Sequence, residues 1–322
     1  MSVLVTGGAG YIGSHVVKLL RERGEKVVVV DDLVTGFSSR VAGLPFLELD
    51  LAAGDAVDRV VGFMAEHEVD SVIHFAARKQ VGESVEQPAR YFLDNLGGLA
   101  NLLLGMERVG VERLVFSSSA AVYGEPDRTP VLETDVPEPI NPYGETKWFG
   151  ECLIRDARRA GKIRAISLRY FNVAGAADAE RSDRVALNLI PMVIERVLAG
   201  RPPLIFGDDY ATADGTCVRD YVHVVDLAEA HLVALEALRR GDQVSAEFNI
   251  GTGRGASVRE VIDAVGRAAG KTLTPAVAPR RPGDPAALVA DVSRVERELG
   301  WVAQRDLDDM AQSAWAGWLA TH

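Results

Sequence analysis

The chain has 322 residues, 48% of them hydrophobic and 25% charged, which excludes a disordered or fibrous protein and suits one large domain or two sharing an interface. Its 35 basic and 46 acidic residues give a formal net charge of -11, a field that repels nucleic acid and anionic membranes, so neither is an expected partner. An anionic small molecule would then need locally placed arginines.

Short β-branched runs alternate with helical segments from the start of the chain. VLVT (3–6) predicts a strand, YIGSHVVKLLRERG (11–24) a helix and KVVVVDD (26–32) a second strand. SVIHFAA (71–77) predicts a strand, residues 89–109 a helix and RLVFSSS (113–119) another strand. A helix over 142–161 and a strand over RAISLRYFN (164–172) follow. Continuous apolar strands separated by helices predict a doubly wound α/β fold, a parallel (Rossmann) sheet covered on both faces. Beyond residue 173 the alternation gives way to loops such as 175–183, 207–216 and 278–287 between shorter elements. The expectation is a Rossmann domain over 1–172 and a smaller α+β substrate-binding domain over 173–322, with a discontinuous boundary and tight packing.

Cys152 and Cys217 are the only cysteines, and the six histidines show no metal-binding spacing, so neither a disulfide framework nor a metal site is expected. No apolar run reaches the roughly 18 residues a membrane span needs. The expected location is the cytoplasm.

Thr6–Gly13, TGGAGYIG, falls between a predicted strand and a predicted helix. Gly7 permits the tight turn, Gly10 lets the backbone approach a pyrophosphate, and Gly13 lets helix and strand pack closely. The helix N-terminus supplies free N–H groups and a partial positive charge for phosphate. Asp31 ends the second strand, where a carboxylate accepts hydrogen bonds from both ribose hydroxyls and repels a 2′-phosphate. Asp32 adds to that repulsion and no arginine follows until Arg40, so NAD is favoured over NADP.

Tyr143 and Lys147, four apart on a predicted helix, share one face. An ammonium and a positive nicotinamide ring both favour the phenolate, so Tyr143 is expected to have a lowered pKa and to act as a general base on a sugar hydroxyl. Ser119, at the end of the preceding strand, can hydrogen-bond the same substrate oxygen. His74, on an apolar strand, is read as a core histidine.

TGGAGYIGS, HFAARKQVGESV, FSSSAAVYG, NPYGETK, LRYFN and GTCVRDYVHVVDLA occur in that order. Together they resemble the extended short-chain dehydrogenase/reductase family and, within it, the UDP-glucose 4-epimerases, from Ser2 to about Trp318. The resemblance implies Ser119, Tyr143 and Lys147 as the catalytic set. It implies Tyr11, Ile12, Leu33, Phe75, Ala76, Ser117 and Tyr170 along the cofactor, Asp50 and Leu51 at its adenine, Lys79 at its ribose and near the sugar, and Asn95 near the catalytic groups. On the substrate side it implies Asn172, Asn188 and Leu189 for diphosphate and uridine, Phe206 for uracil, and Phe171 and Leu204 as further substrate contacts. Arg219 and Arg281 would clamp the pyrophosphate, Asp284 would hold the uridine ribose, and Leu288 would stand by the sugar. The implied reaction is oxidation and re-reduction at C4 of a UDP-hexose within one site, and the implied assembly is a homodimer through the helices at 89–109 and 142–161.

Three features depart from the resemblance: Ala121 stands where many of these epimerases have threonine, segment 175–187 is short, and Leu288 replaces a tyrosine or a small residue. Sister dehydratases carry an acidic pair where this chain has Ala120 and Ala121. UDP-glucuronate 4-epimerase, with Arg181 or Arg184 meeting the extra carboxylate, and UDP-GlcNAc 4-epimerase remain open on the same scaffold. A non-catalytic NAD-sensing protein is a remoter alternative, since such proteins usually lack the Tyr/Lys pair.

Overall fold

Residues 1–281 and 284–321 are described by a computed structural model. In chain order, the first half comprises β1 (Ser2–Thr6), α1 (Tyr11–Glu22), β2 (Val27–Asp31), β3 (Phe46–Glu48), α2 (Ala56–Glu66) and β4 (Val69–His74). Next come α3 (Val81–Glu86), α4 (Pro88–Tyr91), a π-helical turn (Phe92–Gly97) and α5 (Gly98–Val109). Then follow β5 (Arg113–Ser117), a 3₁₀ turn (Ala120–Tyr123), α6 (Pro142–Arg159) and β6 (Arg164–Tyr170). The second half carries β7 (Asn172–Ala174), α7 (Leu189–Leu198), β8 (Leu204–Phe206), β9 (Val218–His223), α8 (Val224–Arg240), β10 (Glu247–Ile250) and β11 (Gly255–Ser257). It ends with α9 (Val258–Ala268), β12 (Ala276–Ala278), β13 (Ala287–Leu288), α10 (Ser293–Leu299) and α11 (Leu307–Leu319).

Seven strands form one parallel sheet in the order β10-β6-β5-β4-β1-β2-β3. Successive side chains of a strand point to opposite faces, and here both faces are apolar. Val3 and Val5 of β1 pack with Val16 and Leu20 of α1 and Leu227 to Leu238 of α8, while Leu4 between them packs with Met64 of α2 and Leu102 and Met106 of α5. Helices on both faces make the doubly wound Rossmann arrangement that the alternation of elements implies.

The second half does not stay apart from this sheet. β10 pairs with β6 as its edge strand, and α8 lies beside α1 on one face. The remaining C-terminal elements build a smaller layer. β11, β9, β13 and β7 form a four-stranded sheet, β12 and β8 pair, and α7, α9 and α11 enclose a separate core around Ile194, Val265 and Trp318. This layer sits over the carboxyl ends of the parallel strands, because β7 continues directly from β6 and pairs with β9. Among the described residues no helix is long and apolar enough to cross a membrane.

Candidate active site

A cleft open to solvent runs across the carboxyl ends of β2, β1 and β4. The turn after β1 forms its floor. Gly7 has φ +69, and a Cβ there would meet the backbone nitrogen of Ala76 at 2.6 Å. A Cβ on Gly13 would fall onto the Gly7 carbonyl oxygen and come within 2.9 Å of two further backbone atoms. Only glycine fits either position. A Cβ on Gly10 would meet nothing within 4 Å except the Gly7 oxygen at 3.2 Å, so this residue faces the open cleft. α1 starts from Gly10 with no side-chain cap and no acidic residue in its first turn. Its first N–H groups are therefore left for an anion from outside the chain.

At the other end of the floor, both oxygens of Asp31 are already anchored. One accepts from the Ala9 N–H and the other from the Leu33 N–H, each at 2.9 Å. These bonds aim the carboxylate into the cleft, while burial raises its pKa above the ordinary aspartate value and the backbone bonds oppose that rise. Asp50 and Leu51 lie beside it, and Phe75, Ala76, Lys79 and Asn95 line the opposite lip. Tyr11 and Ile12 begin α1 at the cleft, with the Lys79 ammonium 6.0 Å from the Tyr11 ring centroid. The cradle thus suits a dinucleotide with unsubstituted ribose hydroxyls.

Tyr143, Lys147 and Tyr170 close the inner end. Asn141 caps α6 by accepting from the Gly144 N–H at 2.9 Å, and Pro142 opens its first turn, so Tyr143 and Lys147 stand one turn apart on the buried side. Lys147 donates to the Ser117 carbonyl at 2.9 Å, and burial lowers its pKa to about 8, with Glu151 acting in the opposite direction. Ser119, at the cap of the 3₁₀ turn, accepts from the Ala121 N–H at 3.1 Å and hydrogen-bonds the Tyr143 hydroxyl. The expected lowering of the tyrosine pKa is not what the surroundings produce. Burial pushes Tyr143 well above its ordinary value, and the Ser119 bond only partly offsets this. Lys147 lies 6.0 Å from the ring centroid with its ammonium engaged by Ser117, so desolvation dominates. Without another positive charge nearby, Tyr143 is a neutral phenol.

Leu33 and Ser117 serve the cleft through their backbone rather than by lining it. The residues expected on the substrate side gather in a second group. Arg219 of β9 bonds the Pro285 carbonyl at 2.7 Å and Asp284 at 3.2 Å, and it is in register with Leu288 of β13. The Arg281 guanidinium lies 3.8 Å from the centroid of the Phe206 ring, on the strand that begins at Leu204. Leu288 packs against the apolar cluster that contains Ala120, Tyr123 and Phe171. Asn172 opens β7, and Asn188 precedes Leu189 at the start of α7, its amide held by Asp183 at 2.8 Å.

Two arginines behave in ways the sequence does not announce. Arg40 is buried, bonding the Glu180 carbonyl at 3.0 Å, the Ser182 carbonyl at 2.6 Å and the Ala9 carbonyl at 3.4 Å. Together with Tyr11, which donates to Gly175 at 2.6 Å, and His15, which accepts from Ala177 at 3.0 Å, it stitches segment 175–187 to the dinucleotide turn. Arg78 arrives at Asp32 from the far lip, 3.3 Å away. Its place directly before Lys79 in HFAARKQ is the only linear signal.

The profile of the NAD dependent epimerase/dehydratase family matches residues 3–251. The chain belongs to that family. Several members of the family are closely similar to it. It is 48% identical over 318 residues to a UDP-glucose 4-epimerase of Azospirillum brasilense, covering 97% of this chain and 90% of the relative. The crystal structure of a UDP-glucose-4-epimerase from Stenotrophomonas maltophila with bound NAD and formylated UDP-arabinopyranose superimposes with a TM-score of 0.93 at 43% identity, covering 100% of this chain and 98% of that one. The UDP-Glc/GlcNAc 4-epimerase of Campylobacter jejuni gives 0.86 at 37% identity, with 99% of each chain covered. As a member of this NAD-dependent family the chain uses NAD.

Proposed function

We propose that this family member inverts the C4 hydroxyl of a UDP-hexose, interconverting UDP-glucose and UDP-galactose, with Ser119, Tyr143 and Lys147 as its catalytic groups. The observation that carries the reading is Tyr143 at the inner end of the dinucleotide cleft, hydrogen-bonded by Ser119 and one helical turn from Lys147. NAD, when bound, supplies the oxidant and then the reductant at C4. Tyr143 moves the proton at O4: as the buried phenol it donates while the hydroxyl is restored, and in the opposite half-reaction it accepts, aided by positive charge. Lys147, with a pKa of about 8, keeps most of its charge at neutral pH. Ser119 aligns the sugar oxygen with the phenol. Arg219, Arg281, Phe206 and Asp284 gather at one place for the nucleotide end, with Asn172, Asn188 and Leu189 nearby in the same layer. Guanidinium groups pair well with phosphate oxygens. A substrate tethered there leaves its hexose free to turn between the two half-reactions.

Ala120 and Ala121 follow Ser119 with no acid or base for eliminating water. Arg181 is paired with Asp178 at 2.9 Å, so it is not spare for a glucuronate carboxylate, and Arg184 donates to the Glu180 carbonyl at 2.9 Å. UDP-GlcNAc is a second substrate to consider, because Leu288, packed against the cluster that contains Phe171, is smaller than a tyrosine. For the assembly we propose a homodimer through α5 and α6, whose Leu104 and Phe149 are exposed. Cys152 and Cys217 are both free, which fits our placement in the cytoplasm. The test is turnover of UDP-galactose with no added coenzyme. Tyr143→Phe should lower kcat by about 10²–10⁴-fold with UDP affinity unchanged; retention of more than a tenth of the rate removes Tyr143 from the mechanism.

A further inference from the structure

Arg78 follows β4, and Asp32 follows β2. In the sheet order β4-β1-β2 these strands are separated by β1, so a bond between them crosses two strand spacings, roughly 10 Å. What lies beneath that crossing is the carboxyl end of β1 and its Gly7–Gly13 turn, the floor of the dinucleotide cleft. The Arg78 guanidinium nonetheless reaches Asp32 at 3.3 Å, and its Nε lies 3.0 Å from Asp94 on the π-helical turn. Asp94 is itself nearly buried and takes a second arginine, Arg90, at 2.7 Å. The backbone of Arg78 is clamped from both sides: its N–H donates to the Asn95 side chain at 2.7 Å, and its carbonyl accepts from the same amide at 3.0 Å. Asn95 also donates to Thr146 on α6 at 3.0 Å. The arginine is thus rooted firmly on one lip of the cleft and attached to the other by a single ion pair, and all three members line the cleft.

We propose that Arg78 is a cofactor-holding residue, a strap that closes over the dinucleotide to Asp32 and slows the loss of NAD. This rests on NAD lying in the cleft. A coenzyme that is regenerated in each cycle gains nothing from exchange, so a group that delays its exit suits such a reaction. The strap has a fixed end and a releasable end. Asp94 is 8% exposed and Asp32 33% exposed, so the Asp32 contact is the one that salt can screen.

The test uses purified holoprotein mixed with an NAD-hydrolysing enzyme that destroys any coenzyme set free. Samples are desalted at intervals and denatured, and the retained NAD is quantified. Arg78→Leu should lose NAD about two- to fivefold faster than wild type, the range for a part-exposed ion pair. Raising salt from about 0.1 M to 1 M shortens the screening length from roughly 10 Å to 3 Å. It should speed loss from wild type toward the variant's rate and leave the variant unmoved, which a purely structural role would not produce. Equal retention by both proteins, or equal acceleration of both by salt, overturns the proposal. Should Arg78→Leu fail to fold, Asp32→Asn opens only the releasable end and must show the same faster, salt-independent loss. Wild type that yields no NAD on denaturation would instead overturn the cofactor reading itself.

Discussion

Replacing Glu151 with glutamine tests a buried ion pair that backs the loop after β5. Glu151 lies one turn beyond Lys147 on α6, and its carboxylate accepts from Arg169 Nε at 2.9 and 3.2 Å and from Nη2 at 2.6 Å. The same carboxylate takes the Ser118 hydroxyl at 2.5 Å, between Ser117, which holds Lys147, and Ser119. Side-chain exposures of 4% and 2% leave no water to replace a lost partner. Removing one charge of such a pair strands the other and costs about 3–5 kcal/mol. A chain of this length has an unfolding entropy of roughly 0.7 kcal/mol per kelvin, so the melting temperature should fall by about 4–7 °C. Calorimetry on wild type, Glu151→Gln, Arg169→Met and the Glu151→Met/Arg169→Met double variant gives the full cycle. An apolar replacement of both partners strands no charge and leaves only neutral groups, such as the Ser118 hydroxyl and the Glu133 carbonyl, short of a partner, so the double variant should lie well above the sum of the two single changes. A single variant that melts within 1 °C of wild type, or a double variant at the sum of the singles, would refute the reasoning.

Gly13→Ala drives a methyl group onto the Gly7 carbonyl, so the turn must shift; NAD content after purification should fall at least about tenfold, and normal loading would show that the turn yields freely. His15, His74, His223 and His231 are held neutral by burial, with pKa values lowered from 6.5 to about 4, 3, 4 and 4. The unfolded chain therefore binds more protons between about pH 6.5 and 4, so stability is full above that window and lost as pH falls through it. Melting temperatures that stay level from about pH 7 to 4.5 would mean that these rings are solvated. Leu288→Tyr should suppress any UDP-GlcNAc turnover by about 10–200-fold while sparing UDP-glucose. If both rates fall together, position 288 does not set the pocket's size.

What could be read from the chain beforehand follows a physical division. The Gly7–Gly13 turn and the strands around it are local: β2 spans 27–31 against an expected 26–32, and β5 spans 113–117 against 113–119, because continuous apolar runs declare a buried parallel strand. The expected helix over 89–109 is one helical run carrying a π turn at 92–97, which periodicity does not resolve. Long-range arrangements were out of reach. Nothing near Glu247–Ile250 says that this strand pairs with β6, and nothing near Arg78 says that its partner lies 46 residues back, after β2. The Tyr143–Lys147 spacing was legible, but the sign of the tyrosine's shift depends on burial, which a helix spacing cannot supply.

The strand order also says something about how the chain comes to be made. β6 leaves the ribosome as an open edge and stays one until residue 250 has followed, because β10 is its only further neighbour in the sheet. The face carrying Val16, Val17 and Leu20 waits longer, for α8, which is synthesised some 200 residues after α1. At roughly 5–20 residues per second, the apolar face of α1 stays uncovered for about 10–40 s and the β6 edge unpaired for about 4–16 s. For those intervals the growing chain offers the surface that chaperones bind and that neighbouring chains can pair with.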